Sequence, residues 1–304
     1  MKVGLIDVDG RVMHGKKKSG QRFPNLALMK ISAWHKRNGD SVEWCFPLAR
    51  YDRVYAAKVF TFTPDIDFIP QTDDFRKGGT GYFYPDGGEP LPYEVEHIMP
   101  DYSLYGITDT AYGFLSRGCP RGCDFCIVAK KEGRASRKVA DLREWWGGQK
   151  FIKLMDPNIL ACPDWRDLLW QLAESRAYVD INQGTDIRIM DEARAEALNR
   201  VKLSGLHFAW DRPEQDLTEK LKMWAGLARR KFSGAYATVY VLTNFNSTME
   251  QNLFRVYTLR DLGYDPYIMV FDKPNAPNEI LRLQRWVNNR FIFKKCRKFE
   301  EYQK

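Results

Sequence analysis

The sequence predicts an α/β protein: a small N-terminal parallel-sheet domain followed by six β–α units that form an open, partial barrel. Three observations carry this. Short apolar runs of four or five residues alternate with longer stretches of helical periodicity. The runs are mostly apolar, as expected where both faces of a parallel sheet are covered. A Pro-rich connector (Pro85, Pro90, Pro92, Pro100) separates an irregular first third from a regular remainder.

The elements follow in order. Val3 to Val8 reads as a strand, and a Gly- and Lys-rich loop (Gly10, Gly15, Lys16 to Lys18, Gly20) follows. Asn25 to Asn38 is helical, with Leu26, Met29, Ala33 and Trp34 on one side and Gly39 as its stop. Val42 to Trp44 and Val54 to Ala56 are further strands, and Gly78-Gly79-Thr80-Gly81 is a turn-rich stretch. Beyond the connector the expected strands are 112–115, 151–155, 179–183, 206–210, 238–242 and 267–271. Helical patterns lie at 142–146, 165–176, 192–199, 214–230, 249–262 and 278–289. Six units are too few for a closed eight-stranded barrel, and in an open one the reactive face lies at the carboxyl ends of the strands. The expected domains are 1–105, a Rossmann-like sheet; 106–275, a partial (βα)6 barrel of TIM type; and 276–304, a basic extension.

Composition narrows the function classes. Of 304 residues, 44% are hydrophobic and 28% charged, which excludes extended disorder and low-complexity architecture. No run of eighteen apolar residues exists, so no membrane span is expected. Met1 leads straight into a strand without an apolar leader, and the expected compartment is the cytoplasm. The net charge of +8 is concentrated: residues 282–304 hold eight Lys and Arg against Glu300 and Glu301. That tail interleaves cations with rings (Arg285-Trp286, Arg290-Phe291, Phe293-Lys294-Lys295, Lys298-Phe299). Such a pattern suits a phosphate backbone with stacked bases, RNA among the candidates, but the favoured reading is a C-terminal helix that docks its aromatics on the barrel and solvates its charges.

The most informative segment is Ser116-Arg117-Gly118-Cys119-Pro120-Arg121-Gly122-Cys123-Asp124-Phe125-Cys126. Three of the six cysteines crowd into eight residues, while Cys45, Cys162 and Cys296 are scattered, which is not a disulfide framework. Clustered thiolates select zinc or iron–sulfur centres. Structural zinc wants four protein ligands, and no fourth Cys or His follows within thirty residues; an iron–sulfur cubane with three protein ligands leaves one iron open. A zinc knuckle remains the alternative on spacing alone.

This Cys-x3-Cys-x2-Cys spacing, with Phe125 before the third cysteine and the loop after the first strand of a βα run, resembles the radical S-adenosylmethionine (SAM) superfamily. The resemblance implies a 4Fe–4S cluster held by Cys119, Cys123 and Cys126. It implies reductive cleavage of SAM to methionine and a 5'-deoxyadenosyl radical that abstracts hydrogen from a substrate, and a low-potential electron donor of flavodoxin or ferredoxin type. Cofactor contacts would come from Phe125; from Asp156 and Asn158 in Leu154-Met155-Asp156-Pro157-Asn158, which also reads as a Pro-containing turn; from Gln183 and Arg188, where an Asp186–Arg188 loop ion pair is the competing reading; and from Asp211 after the fourth strand. Where relatives have a Gly-rich turn after the fifth strand, this chain has Leu242-Thr243-Asn244-Phe245.

The first domain resembles the cobalamin-binding domains of a radical SAM subgroup. The loop Asp9-Gly10-Arg11-Val12-Met13-His14-Gly15 does not fit the Asp-x-His-x-x-Gly pattern, so the expectation is a degenerate remnant serving as scaffold or substrate contact, with cobalamin, which some relatives bind without that histidine, as the less favoured alternative. His14, His35, His97 and His207 are too dispersed to form a metal set and read as surface or packed residues. The reaction following hydrogen abstraction, and its substrate, are not specified. The rival from another class is a non-enzymatic zinc- or iron–sulfur-bearing nucleic-acid-binding protein gripping through the tail and the cysteine loop. A third is a cluster-bearing barrel that has lost catalysis and serves as a scaffold.

Overall fold

The structure, a computed structural model, describes residues 1–10 and 23–303. The Gly- and Lys-rich loop beyond Gly10, with His14, lies outside the described residues, as does Lys304. The chain divides into two compact units: Met1–Phe114 with Pro120–Arg134 and Ala140–Ile152, and Leu115–Cys119 with Ala135–Val139 and Lys153–Lys304.

The first unit holds a four-stranded sheet of β1 (Lys2–Asp7), β2 (Ser41–Trp44), β3 (Arg53–Ala57) and β4 (Phe75–Gly78), in the order β2-β1-β3-β4 and parallel throughout. Strand β1 is apolar on both faces because both are covered. Val3 and Leu5 pack with Leu28 and Ile31 of the helix Leu26–Arg37, while Ile6 packs with Tyr51, Val54 and Ala56. That helix starts at Asn25, whose side chain accepts from Leu28 N–H. Gly39 follows it in the left-handed region at φ 81°. Strand β4 falls just before and into the stretch expected to be turn; its Phe75-Arg76-Lys77 are all exposed, so no apolar pattern marks it.

The remaining strands are β5 (Thr110–Gly113), a two-residue hairpin of β6 (Ser116–Arg117) and β7 (Arg137–Lys138), then β8 (Phe151–Leu154), β9 (Tyr178–Thr185), β10 (Leu203–Ala209), β11 (Thr238–Thr243) and β12 (Asp265–Val270). Six of them form one open sheet in the order β12-β11-β10-β9-β8-β5, the sequential order of a βα repeat. Its helices, Trp165–Glu174, Glu192–Arg200, Thr218–Leu227, Met249–Asp261 and Asn278–Asn288, fall where the periodicity puts them. The pattern at 142–146 is instead a short 3-10 turn, Leu142–Glu144. One sheet face is core: Leu154, Val179, Ile181, Leu206, Phe208, Val239, Val241 and Ile268 are buried, and Trp224 meets Phe208 edge-on at 5.8 Å.

The C-terminal stretch is packed within the second unit. Trp286 is buried against Tyr257, Phe293 and Phe299, and its indole N–H donates to Cys296 O at 3.0 Å. Among the described residues, no helix is long and apolar enough to cross a membrane.

Candidate active site

The cysteine segment leaves β5 and begins on the β6–β7 hairpin. Asp156, just past β8, fixes its start: Oδ1 accepts from Leu115 N–H at 2.8 Å, and Oδ2 accepts from Ser116 N–H and Ser116 Oγ–H, each at 2.6 Å. Burial pushes the Asp156 carboxyl up to about 7, against the pull of these donors and of Arg117. Asp156 therefore anchors the loop. Asn158, two residues on and also buried, points its amide at the first cysteine: Nδ2 stands 3.6 Å from Cys119 Sγ, while Oδ1 has no hydrogen-bond partner among the described residues. Gly118, just before the first thiol, and Gly122, between the first two, take left-handed backbone at φ 85° and 58°, which lets the chain turn there. Cys126 N–H closes a turn onto Cys123 O at 2.9 Å, with half-buried Phe125 inside it.

All six cysteines are thiols rather than disulfides. Among the described residues no three His, Cys, Asp or Glu side chains are drawn together as a bound metal would draw them. The donor set suits a soft metal: three thiols within eight residues on a glycine-hinged loop. Cys162 is buried, its thiol pushed up by that burial, with Asp164 as its contact at 3.9 Å.

A second group gathers at the carboxyl ends of β9, β10 and β11. Arg188 Nε donates to Asp186 Oδ1 at 2.6 Å and Nη1 donates to Gln215 Oε1 at 3.3 Å, so the loop ion pair forms. Asp211 follows β10; burial pushes its carboxyl up to about 6, opposed by the charges of Arg255 and Arg188. Arg255 is itself fully buried, donating to Trp210 O (2.6 Å), Leu242 O (3.0 Å) and Asn252 Oδ1 (2.6 Å), and so ties the ends of β10 and β11 together. Arg188 and Asp211 thus share one electrostatic neighbourhood, whereas Gln183 is exposed. After β11, Asn244 occupies left-handed backbone at φ 60° and donates to Phe271 O. It supplies with an asparagine the turn a glycine would otherwise make.

The sequence reading overlooked a row of side chains on the sheet face opposite the buried one. Lys153 Nζ donates to Asp180 Oδ2 at 2.5 Å. Asp180 Oδ1 stands 3.6 Å from His207 Nδ1. The His207 ring stacks on Tyr240 (centroids 5.3 Å, planes 13° apart), and Tyr240 meets Tyr267 edge-on at 5.9 Å. Five adjacent strands, β8 to β12, contribute one residue each. His207, expected to be an ordinary packed or surface residue, is in the middle of this row. The available signal was a polar or ring residue flanked by apolar ones in each strand, as in Ile152-Lys153-Leu154 and Leu206-His207-Phe208.

No family model matches the sequence, and no curated protein does. Among solved structures, the chain is similar to the radical S-adenosylmethionine methyltransferase TsrM from Kitasatospora setae. One TsrM structure holds cobalamin and a [4Fe-4S] cluster; its TM-score is 0.63 at 14% identity, covering 88% of this chain and 74% of that one. A second, with tryptophan substrate and a SAM analogue bound, gives 0.63 at 13% identity, covering 88% and 72%. The likeness establishes the fold: a Rossmann-like sheet followed by a six-stranded βα sheet, as the sequence predicts.

Proposed function

We propose that the protein is a radical SAM enzyme in which Cys119, Cys123 and Cys126 ligate a 4Fe–4S cluster and SAM is cleaved reductively to act on a substrate not yet identified. The observation that carries this is the Cys-x3-Cys-x2-Cys loop, placed after the first strand of a βα sheet whose fold is that of an enzyme solved with such a cluster. When bound, the cluster would supply the electron that breaks a carbon–sulfur bond of SAM, and a low-potential flavodoxin or ferredoxin would reload it.

The chain's own residues have separable tasks in this reading. Asp156 pins Leu115 and Ser116, so the thiols are delivered from a fixed start. Asn158 directs an amide N–H at Cys119 sulfur and keeps Oδ1 for a donor such as an amino group. Arg188 and Asp211 place opposite charges at the strand ends, where the zwitterionic and hydroxyl groups of a nucleoside-bearing ligand would be met. Phe125 would offer its ring beside the cluster, and Gln183 an amide at the loop mouth.

Cobalamin is not assigned a step. The Asp9 carboxylate at the end of the first strand is engaged by Val59 N–H and Thr63 Oγ–H, both at 2.6 Å. Nor does the C-terminal stretch favour the nucleic-acid-binding rival, because Trp286, Phe293 and Phe299 are buried rather than presented for stacking.

The test is anaerobic reconstitution with iron, sulfide and zinc counted. About four irons per chain supports the reading, and a single zinc without iron overturns it.

A further inference from the structure

The Lys153–Asp180–His207–Tyr240–Tyr267 row is built in detail, and no task above uses it. We propose that His207 Nε2 is a proton-accepting site that receives an O–H or N–H group of a ligand whose apolar or aromatic part lies against Tyr240 and Tyr267.

The tautomer follows from geometry. His207 Nδ1 is 2.9 Å from Ile181 O, and a carbonyl can only accept, so Nδ1 carries the proton and Nε2 of the neutral ring carries a lone pair. The ring is fixed on one side by the Tyr240 stack, and 17% of the side chain remains exposed. The Tyr240 hydroxyl donates to Asn182 O at 3.1 Å. Burial pushes its pKa up to about 12, so it stays neutral and does not compete as a base. Tyr267, 42% exposed, extends the aromatic surface towards solvent.

Asp180 places a carboxylate beside the ring. Its Oδ1 is buried without a hydrogen-bond partner among the described residues and stands 3.6 Å from Nδ1. The nearer Ile181 O, not this carboxylate, therefore orients the ring. Lys153, on Oδ2, holds the carboxylate in place. In the transfer, the ligand's O–H or N–H bond breaks, the proton bonds to Nε2, and the electron pair stays on the ligand's heteroatom. The groups facing the ring are Asp180 from β9, Tyr240 from β11 and, through Asp180, Lys153 from β8.

This deepens the proposed function by giving its substrate site a base. It is read on the protein without iron or SAM, so its failure and the failure of the cysteine assignment are separate results. The experiment is nitrogen NMR on full-length protein labelled only at its four histidines, with His207→Gln used to assign the resonance. The expected result is the Nδ1–H tautomer at neutral pH, with Nε2 shifted by p-cresol and not by toluene, the matched probe lacking the hydroxyl. An Nε2–H tautomer, or equal responses to p-cresol and toluene, overturns the proposal on the wild-type protein alone.

Discussion

The Asp180 carboxylate lies over Gly205 on the neighbouring strand: a Cβ at 205 would stand 2.4 Å from Oδ1 and 2.8 Å from Cγ. The two residues are also register partners between β9 and β10. The glycine is what lets an acid lean across the sheet towards His207. Gly205→Ala should cost about 1–3 kcal/mol by overpacking. Adding Asp180→Ala should recover part of that, because the three atoms nearest the added methyl all belong to the Asp180 carboxylate. Denaturant unfolding of the four proteins in this cycle checks it, with a coupling above about 0.5 kcal/mol expected for residues in contact.

Asp156→Asn keeps the shape of the anchor but replaces one acceptor by an amide N–H that faces the Ser116 donors. The expected loss is about 1–3 kcal/mol from unsatisfied buried groups. Hydrogen exchange at Leu115 and Ser116 should accelerate more than exchange at β10. If the three thiols hold a cluster as proposed, iron retention in the reconstituted protein should fall alongside it.

Asp211 gives a signed pH dependence. Its folded pKa, about 6, lies above the ordinary aspartate value, so the folded state holds a proton that the unfolded chain has released. This contribution is fully present at pH below the unfolded value and is lost as pH rises through about 6. Asp211→Asn should therefore flatten the fall in unfolding free energy between about pH 4 and pH 7, by a difference of the order of 2 kcal/mol. Urea midpoints for both proteins at intervals across that range measure it.

Trp286 gathers the C-terminal stretch around one indole, meeting Phe293 and Phe299 and donating to Cys296 O, and docks it on Tyr257 of the helix Met249–Asp261. Trp286→Ala should cost about 3–5 kcal/mol, the range for truncating a fully buried large ring. Replacing exposed Phe291 by Ala should change stability by less than about 0.5 kcal/mol. Thermal unfolding of the two variants separates a docked tail from a loose one.

The six-stranded sheet was legible because its strands are mostly apolar and its helices keep their period, although one face carries the polar and ring residues of the His207 row rather than an apolar covering. β4 was not, since an exposed edge strand such as Phe75-Arg76-Lys77 has no apolar signature. At the site, the three cysteines are visible as spacing, and Arg188 and Asp211 as charged residues at strand ends. What Asp156 does is not visible: its partners, Leu115 and Ser116, lie some forty residues earlier. The His207 row is hidden for the same reason. Each member is one ordinary residue within its own strand, and only parallel pairing at a particular register brings Lys153, Asp180, His207, Tyr240 and Tyr267 side by side. Its local traces are the polar or ring residue set between apolar ones in each strand and Gly205 inside a strand, a mark of close approach.

The most direct measurement of the central claim is 5'-deoxyadenosine formed from SAM under dithionite, comparing reconstituted wild-type protein with single Cys119→Ala, Cys123→Ala and Cys126→Ala variants. The account predicts product from the wild type and none above background from each variant, with Cys162→Ala retaining activity. Wild-type protein that carries iron yet forms no 5'-deoxyadenosine, or a Cys123→Ala variant that still forms it, would contradict the account.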